Sequence, residues 1–238
     1  MKQTLAIFGD SFATNFKNNN TLGWTQLLEN NYAVTNFASQ GSSLFYSLDK
    51  FRKFQNNFNR VIFVVTFPGR LRVGEQAGLH DENRRCITIE TARHRLDMLQ
   101  EENSSNHAKI YQLIIDYYMY LQNSEYDQCV HNLMVDSIIS NRADSILIPV
   151  DTNSIQNYKG KSTMFDISTK ENRIWQELSG FVTGVDDTRN SHMTKENNEI
   201  FYRNVLKWLK GDLVNIDVDD YIQPTREQLE YYYNLKNE

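Results

Sequence analysis

Three short apolar runs, at residues 3–8, 32–37 and 61–65, each break off into a loop of small or polar residues, and helical spacing follows the first two. This rhythm constrains the chain more than any other feature. The third run, Val61, Ile62, Phe63, Val64 and Val65, is β-branched and apolar without alternation, as a strand buried on both faces of a parallel sheet requires. Trp24, Leu27 and Leu28 after the first run, and Leu44, Leu48 and Phe51 after the second, recur at the steps of a helix face. Successive strand–loop–helix units predict an α/β protein: a three-layer α/β/α, flavodoxin-like parallel sheet of about five strands.

The remaining elements extend that plan. Residues 90–100, 108–122 and 126–140 have helical faces, so the chain from about 71 to 143 reads as a helical insertion between strands 3 and 4. Residues 144–150 read as the fourth strand, with Pro149 at its end where a lost ladder donor matters least. Residues 181–185 read as a weaker fifth strand, Thr194 as the N-cap of a helix to about residue 210, and residues from Pro224 onward as a last helix. The expected organisation is one domain over 1–212 and a helical extension over 213–238.

Composition narrows the function classes. The 238 residues carry 30 acidic and 25 basic side chains, a net charge of −5, which supplies no phosphate-neutralising footprint and argues against a nucleic-acid partner. No stretch approaches the roughly 18 consecutive apolar residues of a membrane span, and the first apolar run is too short for a signal-peptide core. A cytoplasmic protein with no membrane partner is expected. Cys86 and Cys129 are the only cysteines, too few for a disulfide framework or a four-cysteine zinc site, and are expected as buried or half-buried free thiols. His80, Asp81 and His94 lack metal-ligand spacing. A calcium-loop-like opening at Asn215, Asp217 and Asp219 fails at Asp220 and Arg226. No glycine-rich phosphate loop follows any strand, so neither a metal nor a cofactor is expected.

In open α/β sheets, ligands bind outside the carboxyl ends of the strands, so the loops that matter are 9–11, 39–43, 66–70 and 186–192. Gly9, Asp10 and Ser11 place a serine at a strand end, where glycine permits a tight turn and Ser11 is a candidate nucleophile. Asp10 is a candidate for the oxyanion and substrate-binding group, with a structural alternative in which it accepts backbone amides and organises that turn. His192 stands just ahead of a helix start, where a neutral imidazole can take the serine proton as general base.

The Gly9-Asp10-Ser11 loop after an N-terminal strand, Gly41 after the second strand and a late Asp/His loop resemble the SGNH (GDSL) hydrolase family, over residues 4 to about 210. The resemblance implies Ser11 as the nucleophile that attacks an acyl carbonyl. It also implies the amides of Ser11 and Gly41 as oxyanion donors. Two blocks depart from the family pattern. The third block lacks the family's asparagine donor, whose loss typically costs about 3 kcal/mol of transition-state stabilisation; Thr66 or Arg70 then substitutes, or turnover is slow. Arg70 can alternatively bind an anionic or sugar group of the substrate. In the last block the family's aspartate position is Arg189. Asp187, five residues before His192, is the candidate to orient the imidazole; a backbone carbonyl is the alternative and Asp186 is expected to point elsewhere.

The expected activity is a serine esterase or acyl hydrolase cleaving a small acyl ester, with an O-acetyl group on a carbohydrate among the candidates. Two alternatives stay open: a non-catalytic domain of the same fold that binds carbohydrate or assembles with partners, and an O-acyltransferase using the same site. A homo-oligomer is also left open.

Overall fold

The computed structural model describes residues 1–15, 22–66, 68–72, 86–101, 105–150, 195–212 and 221–222. Its frame is a four-stranded parallel sheet of β1 (Thr4–Phe8), β2 (Ala33–Asn36), β3 (Arg60–Val65) and β6 (Ile146–Pro149), in the order β2-β1-β3-β6. The register pairs Leu5 with Val34 on one side of β1 and Ile7 with Ile62 on the other, while Phe63 pairs with Leu147. Pro149 sits opposite Val65 as the last residue of β6, and the ladder resumes at once where the Val150 amide donates to the Val65 carbonyl at 2.9 Å. The missing proline donor therefore falls at a strand end.

Alternate residues of the central strands serve opposite faces, because side chains on a strand alternate. Leu5, Ile7, Ile62, Val64, Ile146 and Ile148 belong to one core cluster with Trp24 of α1 (Trp24–Leu27) and Phe201, Val205 and Trp208 of α6 (Lys195–Leu209). Ala6, Phe8, Val61, Phe63, Val65 and Leu147 belong to the other, with Leu44, Leu48 and Phe51 of α2 (Leu44–Phe54) and Val135 and Ile138 of α5 (Ser124–Asn141). Helices cover both faces, an arrangement consistent with three α/β/α layers. The second cluster is knit by rings: Phe8 stacks on Phe37 at 5.0 Å and meets Phe51 edge-on at 5.5 Å. Such pairs add about 0.5–1.5 kcal/mol each beyond their buried area.

Between β3 and β6 the chain forms the two-residue strands β4 (Leu71–Arg72) and β5 (Cys86–Ile87), paired antiparallel, then α3 (Ile89–Glu101), α4 (Ser105–Asp116), a π-helical turn at Tyr117–Leu121, and α5. The first part of this region has its own small core: Ile87, Ala92 and Ile114, with Leu71, Ile110 and Tyr118 packed against it. By contrast α5 lies on the main sheet, as the helix that returns the chain from β3 to the parallel strand β6.

Among the described residues there are six helices, and none is long and apolar enough to cross a membrane. Both cysteines are free; Cys86 is half-buried, but Cys129 is exposed, against expectation. On α5 the inward face is taken by His131, Val135 and Ile138, and Cys129 falls off that stripe. The expected strand at 181–185, the Thr194 cap and the C-terminal extension lie outside the described residues, apart from Tyr221 and Ile222.

Candidate active site

The carboxyl end of β1 turns at Gly9, whose φ of +153° belongs to the half of conformational space that side chains avoid. Space also demands glycine, since a Cβ there would lie 2.7 Å from Val64 Cβ and 3.3 Å from Ala13 Cβ. The turn then closes through the Ala13 amide, which donates to the Asp10 carbonyl at 3.0 Å. Asp10 Oδ1 accepts from the Phe12 amide at 3.1 Å, so the carboxylate organises the turn as the sequence suggested. Ser11 is held inside this turn, buried at 8% exposure, with its carbonyl accepting from Thr14 Oγ1 at 2.9 Å.

The second loop is bound tightly to the first. The Gly9 carbonyl accepts from the Ser39 amide at 3.1 Å, Ser42 Oγ at 3.0 Å and Ser47 Oγ at 3.1 Å. Gly41 has φ +72°, a left-handed conformation suited to glycine, and Ser43 then caps α2 by accepting from the Tyr46 amide at 3.3 Å.

Arg70, in the third loop, joins all three. Its Nη1 donates to the Ser42 carbonyl at 2.7 Å, and its Nη2 stands 3.3 Å from Asp10 Oδ2. The arginine side chain is 12% exposed and the aspartate 0%, so this is a buried charge pair, although among the described residues Asp10 Oδ2 has no donor in hydrogen-bond alignment. Asp10, Arg70, Ser42 and Gly9 thereby form a closed ring of contacts that ties the carboxyl ends of β1 and β3 to the start of α2. Arg70 is thus an interior anchor of the loops. Thr66, at the end of β3, is 1% exposed and its hydroxyl has no hydrogen-bond partner among the described residues. A buried hydroxyl in that state is costly unless something bonds to it.

The helix that follows the fourth loop in sequence, α6, is described from Lys195 onward. Asn198, in the first turn of α6, accepts from the Trp24 amide at 3.0 Å through Oδ1, and the Trp24 indole donates to the Phe12 carbonyl at 2.9 Å. Trp24 also packs edge-on against Phe201 at 5.2 Å. The start of α6 is therefore linked through one tryptophan to the residue after Ser11. Further along, Asn197 brackets Ile222, donating to its carbonyl at 3.0 Å and accepting from its amide at 2.9 Å. His192, Asp187 and Asp186 lie outside the described residues.

Of the expected site residues, the structure therefore brings Asp10, Ser11, Gly41, Thr66 and Arg70 to one edge of the sheet. The arginine–aspartate pair was not readable from the sequence, because 60 residues separate its members. Neither were the serines on the Gly9 carbonyl or the role of Asn198. A second unexpected device is Tyr118: its hydroxyl accepts from the Leu71 amide at 2.8 Å and reaches the Gly69 and Ile87 carbonyls at 2.9 and 2.7 Å. That hydroxyl pins the loop containing Arg70 to the outer helical layer.

Compared with protein-family models and with curated proteins, the chain matches none.

Proposed function

We propose that the protein is a serine esterase or acyl hydrolase of the SGNH (GDSL) type that cleaves a small acyl ester. The observation that carries this reading is the Gly9–Ser11 turn at the carboxyl end of a central parallel strand, fixed by a glycine where any Cβ would lie 2.7 Å from Val64 Cβ and locked by the Asp10–Arg70 pair. A nucleophile gains from such fixed placement, because catalytic rate depends on holding the attacking atom in register with its partners.

In this reading Ser11 Oγ attacks the acyl carbonyl, His192 takes the serine proton and returns it to the leaving alcohol, and Asp187 orients the imidazole. The amides of Ser11 and Gly41 hold the developing oxyanion. Two observations favour particular assignments. Arg70 is committed to Asp10 and Ser42, so Thr66, whose buried hydroxyl is unbonded among the described residues, is the better substitute for the missing asparagine donor. The tie from Asn198 through Trp24 to Phe12 brings the helix that follows His192 to the turn that holds Ser11. The full architecture proposed is a five-stranded flavodoxin-like sheet, with the segment after β3 as an insertion that walls the substrate site.

The test is hydrolysis of p-nitrophenyl acetate. Native protein should turn it over and Ser11→Ala should not, while Thr66→Val should lose on the order of 10²-fold in kcat, as removal of an oxyanion donor does. Equal turnover by native protein and Ser11→Ala would overturn the proposal.

A further inference from the structure

A cavity of about 350 Å³ opens between the start of α2, the 68–71 loop, the π-helical turn at Tyr117–Leu121 and α5, with Arg70 in its wall. Its volume is in the range of small-molecule sites. Ser11 is not in its wall, but Ser43 and Arg70 are, and Arg70 in turn bonds the Ser42 carbonyl and pairs with Asp10, beside Ser11.

Beside aliphatic residues, Arg70 and His131, the wall carries two surfaces suited to recognising a ligand. Phe45, Tyr117 and Tyr126 present aromatic rings, and two of these stand at the rim, Phe45 at 46% and Tyr126 at 67% exposure. Gln122 and Asp127 present a polar edge, with Gln122 Nε2 donating to Asp127 Oδ2 at 3.0 Å, which fixes both groups and leaves each an acceptor oxygen. A carboxylate disfavours an anionic ligand, and the Arg70 guanidinium disfavours a cationic one. Acceptors fixed beside aromatic faces suit a neutral ring that is apolar on its faces and hydroxylated at its edges.

We propose that this cavity binds a carbohydrate ring, with Tyr117 and Tyr126 against the sugar faces and Gln122 and Asp127 accepting from its hydroxyls. As the site for the alcohol side of an ester, it rests on the hydrolase reading above; as a binding site it does not.

The experiment is saturation-transfer difference NMR and titration of the full chain with D-glucose, D-galactose, D-mannose, D-xylose and N-acetyl-D-glucosamine, with benzyl alcohol as an aryl control. At least one sugar should bind. Gln122→Ala and Tyr126→Ala should each weaken it about fivefold or more, while Ser11→Ala leaves it unchanged. Folding of each variant is checked by far-UV circular dichroism, and Tyr126→Phe, which keeps the ring, should retain binding within about twofold. No binding by any of the five sugars, binding indifferent to both alanine variants, or tighter binding of benzyl alcohol than of every sugar would overturn the proposal. Sugar binding without esterase activity would sink the hydrolase and leave the cavity assignment standing; activity without sugar binding would do the reverse.

Discussion

Arg70 is the residue whose loss should be felt most at the carboxyl edge of the sheet. Asp10 is fully buried and the arginine supplies its counter-charge at 3.3 Å. Arg70→Met keeps much of the side-chain bulk yet strands the carboxylate in a low-dielectric site, a change that typically costs about 3–5 kcal/mol. The pair is not aligned as a hydrogen bond, which favours the lower end of that range. Loss of the 2.7 Å bond from Nη1 to the Ser42 carbonyl pulls the other way. Bonds from charged donors contribute about 1.5–3 kcal/mol, so the expected total stays at about 3–5 kcal/mol. Asp10→Asn removes the charge but retains an oxygen for the Phe12 amide, so in the double variant no charge is stranded. Its destabilisation should fall short of the sum of the single changes by about 1–3 kcal/mol. Equilibrium urea unfolding, followed through tryptophan fluorescence to which buried Trp24 and Trp208 contribute, reads all four corners of the cycle. Single changes that add to within about 0.5 kcal/mol would refute a functioning buried pair.

Other outcomes follow from the same geometry. Gly9→Ala forces a Cβ to within 2.7 Å of Val64 Cβ at positive φ. It should cost about 2–4 kcal/mol and lower Tm by about 5–15 °C. Gly211→Ala is the control, since φ is +84° but nothing lies within 4 Å, and conformational strain alone should cost about 1 kcal/mol. Tyr118→Phe removes the hydroxyl shared by Leu71, Gly69 and Ile87 and should destabilise by about 1–3 kcal/mol, with faster hydrogen exchange at the Leu71 amide. An Ellman titration of native protein should find Cys129 reacting first and Cys86 slowly, and equal rates would contradict their different exposures.

The parts of the fold that were legible in the sequence are those set by local pattern. β3 is continuous and β-branched because both its faces are buried, and the inner stripe of α6 is spaced for one packed face; each of these is written within about fifteen residues. The ring at the carboxyl edge was not legible. Its members come from residues 9, 10, 42 and 70, and what joins them is burial and approach across adjacent strands, which no spacing rule records. Arg70 looked like a choice between oxyanion donor and substrate ligand because its partner, Asp10, was accounted for by its own turn. The exposure of Cys129 was missed for a related reason: a helix such as α5, whose outer face carries Tyr126 and Leu133, gives little periodic signal to say which side is inward.

The most direct test of the central claim is covalent labelling with a fluorophosphonate probe followed by peptide mapping, with Ser11→Ala and His192→Ala beside the native protein. A single label on Ser11 that disappears in both variants is the predicted result, since an activated serine needs its general base. A folded native sample that takes up no label, or takes it up at another residue, would contradict the assignment of Ser11 as nucleophile.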